Sequence, residues 1–131
     1  MTRLLLVDYD LDYDPAAPFL PITVDGYVPD FEPVIVSAFV DTGADGTMLP
    51  KSLLMAVGAE YADTVVVRGS VDGARRLDRY TVRIRLGSTT IHAISAVAMP
   101  SGSEPLIGRD VLNQLVLTLN GPAQSMELLM E

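Results

Sequence analysis

In Phe39-Val40-Asp41-Thr42-Gly43-Ala44-Asp45-Gly46-Thr47-Met48-Leu49 an apolar run meets an Asp-Thr-Gly turn without any polar transition. The run behind it, Pro33 to Val40, is apolar on both faces and predicts a buried strand. An aspartate at the end of such a strand is costly to bury unless something pairs with it. The glycine beside it lets a second backbone or a ligand come close. Two such loops facing each other would bring two carboxylates together, and since both cannot easily ionise, one proton would be shared. The ionised member could then take a proton from water while the protonated one donates to a carbonyl. That is general acid–base chemistry suited to amide hydrolysis.

Outward from this loop most of the chain reads as strand. Val7, Tyr9, Leu11 and Tyr13 alternate with Asp8, Asp10, Asp12 and Asp14, a period of two that predicts a ribbon with one wet face. Pro15, Pro18 and Pro21 interrupt the next stretch and mark an edge or an arm. Ile22-Thr23-Val24 leads into the turn signal Asp25-Gly26. Thr64 to Arg68 and Tyr80 to Leu86 predict two strands around a Gly-containing tip, and Thr89 to Met99 a further strand after the Gly87-Ser88 turn. Pro50 to Val57, closed by Gly58, predicts a short helix, and Arg109 to Leu115 another. Val116 to Leu119 and Met126 to Met130 flank the Asn120-Gly121-Pro122 turn as strands. Many short strands at regular spacing predict an all-β barrel or sandwich.

Composition removes several classes of function. The 131 residues suit one domain. With no cysteine, disulfides, thiolate zinc sites and Cys nucleophiles are excluded together, and the single histidine, His92, excludes a multi-histidine site within one chain. The net charge of -8 argues against a general nucleic-acid binder. No stretch reads as a membrane span. The apolar run at the N-terminus meets Asp8 too soon for a signal-peptide core, so the expected location is the cytoplasm. Charge is nevertheless uneven: residues 1–32 hold seven acids and one base, whereas residues 68–85 hold six arginines and two aspartates.

The run Asp41-Thr42-Gly43-Ala44-Asp45, between Ala38-Phe39-Val40 and Thr47-Met48-Leu49, resembles the active-site loop of retroviral-type aspartic proteases, the retropepsins. Leu106-Ile107-Gly108-Arg109-Asp110-Val111-Leu112 is similar to that family's second signature, and Val65 to Gly73 falls where the family has its flap hairpin. The resemblance covers residues 19–130 and leaves 1–18 as an acidic N-terminal arm before a 19–131 protease domain. It implies a retropepsin-like acid-protease barrel with one or two short helices, working as a two-fold symmetric homodimer, because each chain holds one Asp-Thr-Gly and so half a dyad.

The implied function is aspartic endopeptidase cleavage of an extended peptide, with no metal or organic cofactor. Asp41 would be the catalytic carboxylate, Thr42 would pin the two loops across the dyad, and Gly43 would meet the substrate backbone. Asp45 would hold substrate main chain and pair with Arg109, while Gly108 would let the second loop pass close to the first. Substrate would also meet Ala44, the tip residues Gly69, Ser70 and Val71, and the subsite residues Glu104 and Leu106. Pepsin-like enzymes usually carry Ser at the position matching Ala44; without that donor a mildly acidic optimum is expected. The tip lacks the several glycines common in retroviral flaps, and the arm is longer and more acidic than their terminal strand. The alternative is a catalytically silent module that keeps the fold for dimerisation or peptide binding.

Other motifs read more plainly. Asp8, Asp10, Asp12 and Asp14 suggest a calcium loop, but neither register puts Gly at position 6 and Glu at position 12. They are read as a solvated strand face that discourages edge pairing. His92 is read as an ordinary strand histidine, and Arg79, Arg83 and Arg85 as a solvated stripe.

Overall fold

The computed structural model describes residues 3–69 and 73–130. In chain order its elements are β1 (Arg3–Asp8), β2 (Phe19–Asp25), β3 (Val34–Val40), β4 (Met48–Pro50), α1 (Lys51–Ala56), β5 (Glu60–Gly69), β6 (Gly73–Leu86), β7 (Thr89–Met99), β8 (Leu106–Ile107), α2 (Arg109–Leu112), β9 (Val116–Asn120) and β10 (Ser125–Met130). Seven strands form one sheet in the order β2-β3-β8-β4-β7-β6-β5, and a β2–β6 pairing closes six of them into a barrel with β5 attached outside. A second sheet, β1-β10-β9, is antiparallel throughout.

Alternation along the strands fills the barrel. Leu20, Ile22 and Val24 of β2, Val82, Ile84 and Leu86 of β6, and Leu49 and Leu54 from β4 and α1 are all fully buried or nearly so. Each such side chain contributes about 1.5–3 kcal/mol relative to its exposed state. Met126, Leu128 and Met130 of β10 join the same core, so the inner face of the terminal sheet closes one end of it. Its outer face leaves Leu4, Leu6, Val116 and Leu129 exposed.

Several expectations are corrected. The first strand is Arg3–Asp8 rather than residues 7–14. The Asp10 carboxylate accepts the Asp12 N–H at 2.9 Å, an Asx turn that ends the extended run. Strand β3 is not buried on both faces, since Ile35 is 73% exposed while Ala38 and Val40 are buried. The second helix stops at Leu112, three residues early. The first matches closely: Pro50 sits at its N-cap, and Gly58, at φ 66°, turns the chain out of it. The arginine stripe is not simply solvated. Arg79 grips Asp63 through two hydrogen bonds of 2.6 and 2.7 Å, and Arg83 grips Asp25 at 2.7 Å while stacking over the Tyr27 ring.

Candidate active site

Strand β3 ends at Val40, and its neighbour β8 runs parallel to it with Phe39 opposite Leu106 and Val40 opposite Ile107. This pairing delivers two loops, residues 41–47 and 108–110, to the same end of the barrel. The Asp41 N–H donates to the Ile107 carbonyl at 3.0 Å, and the Val40 N–H to the Pro18 carbonyl at 3.0 Å. Asp41 itself is half-buried. Its Oδ1 accepts the Gly43 N–H at 3.0 Å, which fixes the carboxylate against its own turn and leaves Oδ2 free of any hydrogen bond among the described residues. Thr42 and Gly43 are exposed beside it.

The two loops interlock. The Arg109 N–H donates to the Ala44 carbonyl at 2.9 Å, and the Arg109 guanidinium donates to the Thr42 carbonyl at 2.8 Å and pairs with the Asp45 carboxylate. Asp45 remains 95% exposed, so this ion pair adds at most about 1 kcal/mol and leaves the carboxylate accessible from solvent. Gly108 passes so close that a Cβ there would lie 2.7 Å from the Gly46 carbonyl carbon and oxygen and 2.8 Å from the Ala44 oxygen.

Asp110 is a supporting residue absent from the sequence-based site. Its carboxylate accepts the Thr47 N–H at 3.0 Å, the Thr47 hydroxyl at 2.8 Å and the Val111 N–H at 2.9 Å. Thr47 is fully buried, and its hydroxyl oxygen in turn accepts the Gly108 N–H at 3.3 Å. Each polar group of that buried threonine thus has a partner, which burial requires. The signal was present in the sequence as the acid that follows Gly108-Arg109, opposite a hydroxyl at Thr47.

Beside the loops lies a groove of about 720 Å³, floored by Gly43 to Gly46 and Met48 and walled by Val65 to Arg68 of β5 and Ala93 to Ser95 of β7. Arg79 and Asp110 also line it. Hydrogen bonding to Arg79 holds the Asp63 carboxyl below the ordinary range, and the same contact raises Arg79. Whatever the pair contributes to stability therefore persists above the ordinary aspartate range and is lost only as pH falls through that depressed value.

Gly43, Ala44 and Asp45 meet in this groove with β5, while Gly69 pairs with Gly73 farther out on the hairpin. Ser70 and Val71 lie outside the described residues. Glu104 and Leu106 are not among the residues lining the groove. Glu104 accepts the Tyr13 hydroxyl, and Tyr13 stacks on Phe19 at 4.9 Å, so the N-terminal segment covers this flank of the second loop. His92 faces the Tyr27 hydroxyl at 3.3 Å. No helix among the described residues is long and apolar enough to cross a membrane.

Comparison with known proteins agrees with this architecture. A family model described as aspartyl protease matches residues 20–111. A retropepsin-like aspartic protease from Rickettsia conorii superposes with a TM-score of 0.70 at 15% identity, over 98% of this chain and 92% of that one. The EIAV protease in complex with the inhibitor HBY-793 gives a TM-score of 0.60 at 20% identity, over 82% of this chain and 93% of that one. No curated protein matches the sequence. The fold is thus the all-β retropepsin-like barrel.

Proposed function

The chain belongs to the aspartyl protease family, and from that membership we propose that it is an aspartic endopeptidase whose dyad is completed by Asp41 of a second copy. The observation that carries this reading is the state of Asp41: half-buried, oriented by the Gly43 N–H, with its other oxygen uncommitted among the described residues. In the dimer one carboxylate takes a proton from water as the water attacks the scissile carbonyl, and the protonated partner donates to the carbonyl oxygen. The tetrahedral intermediate then collapses as the amide nitrogen gains a proton and leaves. The carboxyl pair itself activates the water, so the mechanism asks for no metal or organic cofactor.

The remaining roles extend the same proposal. Thr42 braces the dyad, Gly43 and Asp45 take substrate main chain, and Gly108, Arg109 and Asp110 hold the loops in register. The groove accepts an extended peptide as an added strand along the β5–β6 hairpin. Glu104 and Leu106 wall a neighbouring subsite, with Glu104 steadied by Tyr13. We place the catalytic unit at residues 19–131, with residues 1–18 as an acidic arm whose strand β1 pairs with β10 in the terminal sheet.

A half-site per chain makes activity depend on association. The exposed Leu4, Leu6, Val116 and Leu129 give a second copy apolar area to cover on the terminal sheet. Two chains of -8 repel each other, so added salt should tighten the dimer. Cleavage of a peptide library, with products mapped by mass spectrometry, should show specific activity that falls on dilution and recovers with salt. A chain that stays monomeric by light scattering at every concentration yet cleaves peptides would refute the shared dyad.

Ala44 sets the expected pH range. A hydroxyl at this position would donate to the ionised dyad and favour it. Ala44→Ser is therefore expected to move the pH–activity profile toward lower pH from a mildly acidic optimum; an unmoved profile or a shift the other way would refute the argument.

A further inference from the structure

Among the described residues, three of the nine basic side chains are held in ion pairs: Arg79 by Asp63, Arg83 by Asp25 and Arg109 by Asp45. Of the others, Arg85 lies at the far end of β6 opposite Thr23 and Thr90, and four gather on or beside the outer part of the β5–β6 hairpin. Arg68 lines the groove next to the catalytic loop. Lys51, Arg75 and Arg76 line a second hollow of about 260 Å³, where Asp78 is the only carboxylate among the described residues and accepts the Thr64 hydroxyl. None of these four cations has an ion-pair partner among the described residues.

Within the groove the other charges are already answered by the chain itself. Asp45 faces Arg109, Asp110 is held by Thr47, and Arg79 is gripped by Asp63. Among the described residues that line the groove, Arg68 is what remains. Strand register makes its situation less favourable still. Arg68 pairs with Ala74 and Val66 with Arg76, so Arg68 and Arg76 are diagonal neighbours on one face of the hairpin. Such neighbours sit about 7–8 Å apart, close enough for like charges to repel. A protein of net charge -8 that sets Arg68 in its groove and three more cations in the hollow on or beside the same hairpin is suited to an anionic occupant.

We propose that the substrate is an acidic peptide segment, with an Asp or Glu side chain set against Arg68 in the groove and further carboxylates toward Arg75, Arg76 and Lys51. This rests on the endopeptidase reading above. It assigns to the hairpin a selective role that its backbone pairing alone would not supply: main-chain hydrogen bonds hold any extended peptide, and the arginines choose among them.

The test uses peptides carrying Glu, Gln or Lys in turn at each of four positions either side of a mapped cut. They are compared on wild type, Arg68→Gln and Arg68→Glu at low and high salt. Wild type should favour Glu over Lys at one position or more by about five-fold, as a partly exposed charge pair allows. High salt should shrink that preference. Arg68→Gln should level the order and Arg68→Glu reverse it. An order unchanged across the three enzymes, or a wild type that prefers Lys throughout, overturns the proposal. If wild type cleaves nothing, the endopeptidase reading falls by itself. Fluorescence anisotropy of labelled Glu and Lys peptides on Asp41→Asn then decides the acidic-peptide proposal: tighter binding of the Glu peptide sustains it, and equal or reversed binding overturns it.

Discussion

Asp41→Asn is expected to lower peptide cleavage by at least about 10³-fold, within the range a lost general base commands, while the chain still folds. Asparagine keeps the side-chain oxygen that accepts the Gly43 N–H, so the turn retains its internal bond. The backbone bond from residue 41 to the Ile107 carbonyl is untouched. What disappears is the capacity to ionise and so to take a proton from water. In a dimer the change also removes repulsion between two facing carboxyls, so dimer affinity should hold or rise. Cleavage kinetics and a sedimentation measurement on the same preparations check both halves. Undiminished cleavage would remove Asp41 from the mechanism, and the silent binding module would become the better account if wild type and variant were equally inactive but equally dimeric.

Gly108→Ala carries the second large effect. The atoms that a new methyl would meet, the Gly46 carbonyl and the Ala44 oxygen at 2.7–2.8 Å, are all backbone and cannot swing aside as a flexible side chain could. The second loop must retreat, which strains the Arg109 N–H bond to Ala44 and the Gly108 N–H bond to the Thr47 hydroxyl. Overpacking of this kind costs about 1–3 kcal/mol, or roughly 4–12 °C of melting temperature for a domain of this size. Activity should fall further than stability, because the loops that set the Asp41 carboxylate and the Asp45 edge of the groove move together. A variant with wild-type melting and cleavage would show that the two loops have room to spare between them.

Much of this was readable from residue order. The loop after Val40, the Gly108-Arg109 joint and the first helix sit where their local signals place them, because each rests on short-range chemistry: a breaker, a cap, a turn. The hairpin is present but longer than its signals, with β5 running Glu60–Gly69 and β6 starting at Gly73 rather than Tyr80. What failed to show depended on partners far along the chain. Ile35 belongs to a run whose one polar residue is Ser37, yet the face of β3 that carries Ile35 is left open. Arg79 and Arg83 looked like a wet stripe because their carboxylates, Asp63 and Asp25, lie on neighbouring strands rather than nearby in sequence. Asp110 carries no local mark because its work is done for Thr47, 63 positions away. The aspartates from Asp8 to Asp14 misled in the other direction: their alternation imitates a strand, but Asp10 spends its side chain on a turn.

The two-residue strand β8 slots between β3 and β4 although the chain makes it only after β5, β6 and β7. During synthesis, Asp41 therefore emerges long before Ile107, the residue whose carbonyl receives its N–H. Pairings of such long sequence separation form late, since the loop between them must be closed first. A ribosome-bound nascent chain thus carries Asp41 before the strand that receives its N–H has been made. The loop that holds Asp41 therefore reaches its final geometry only once β8 has found its place between β3 and β4 and the barrel is nearly complete.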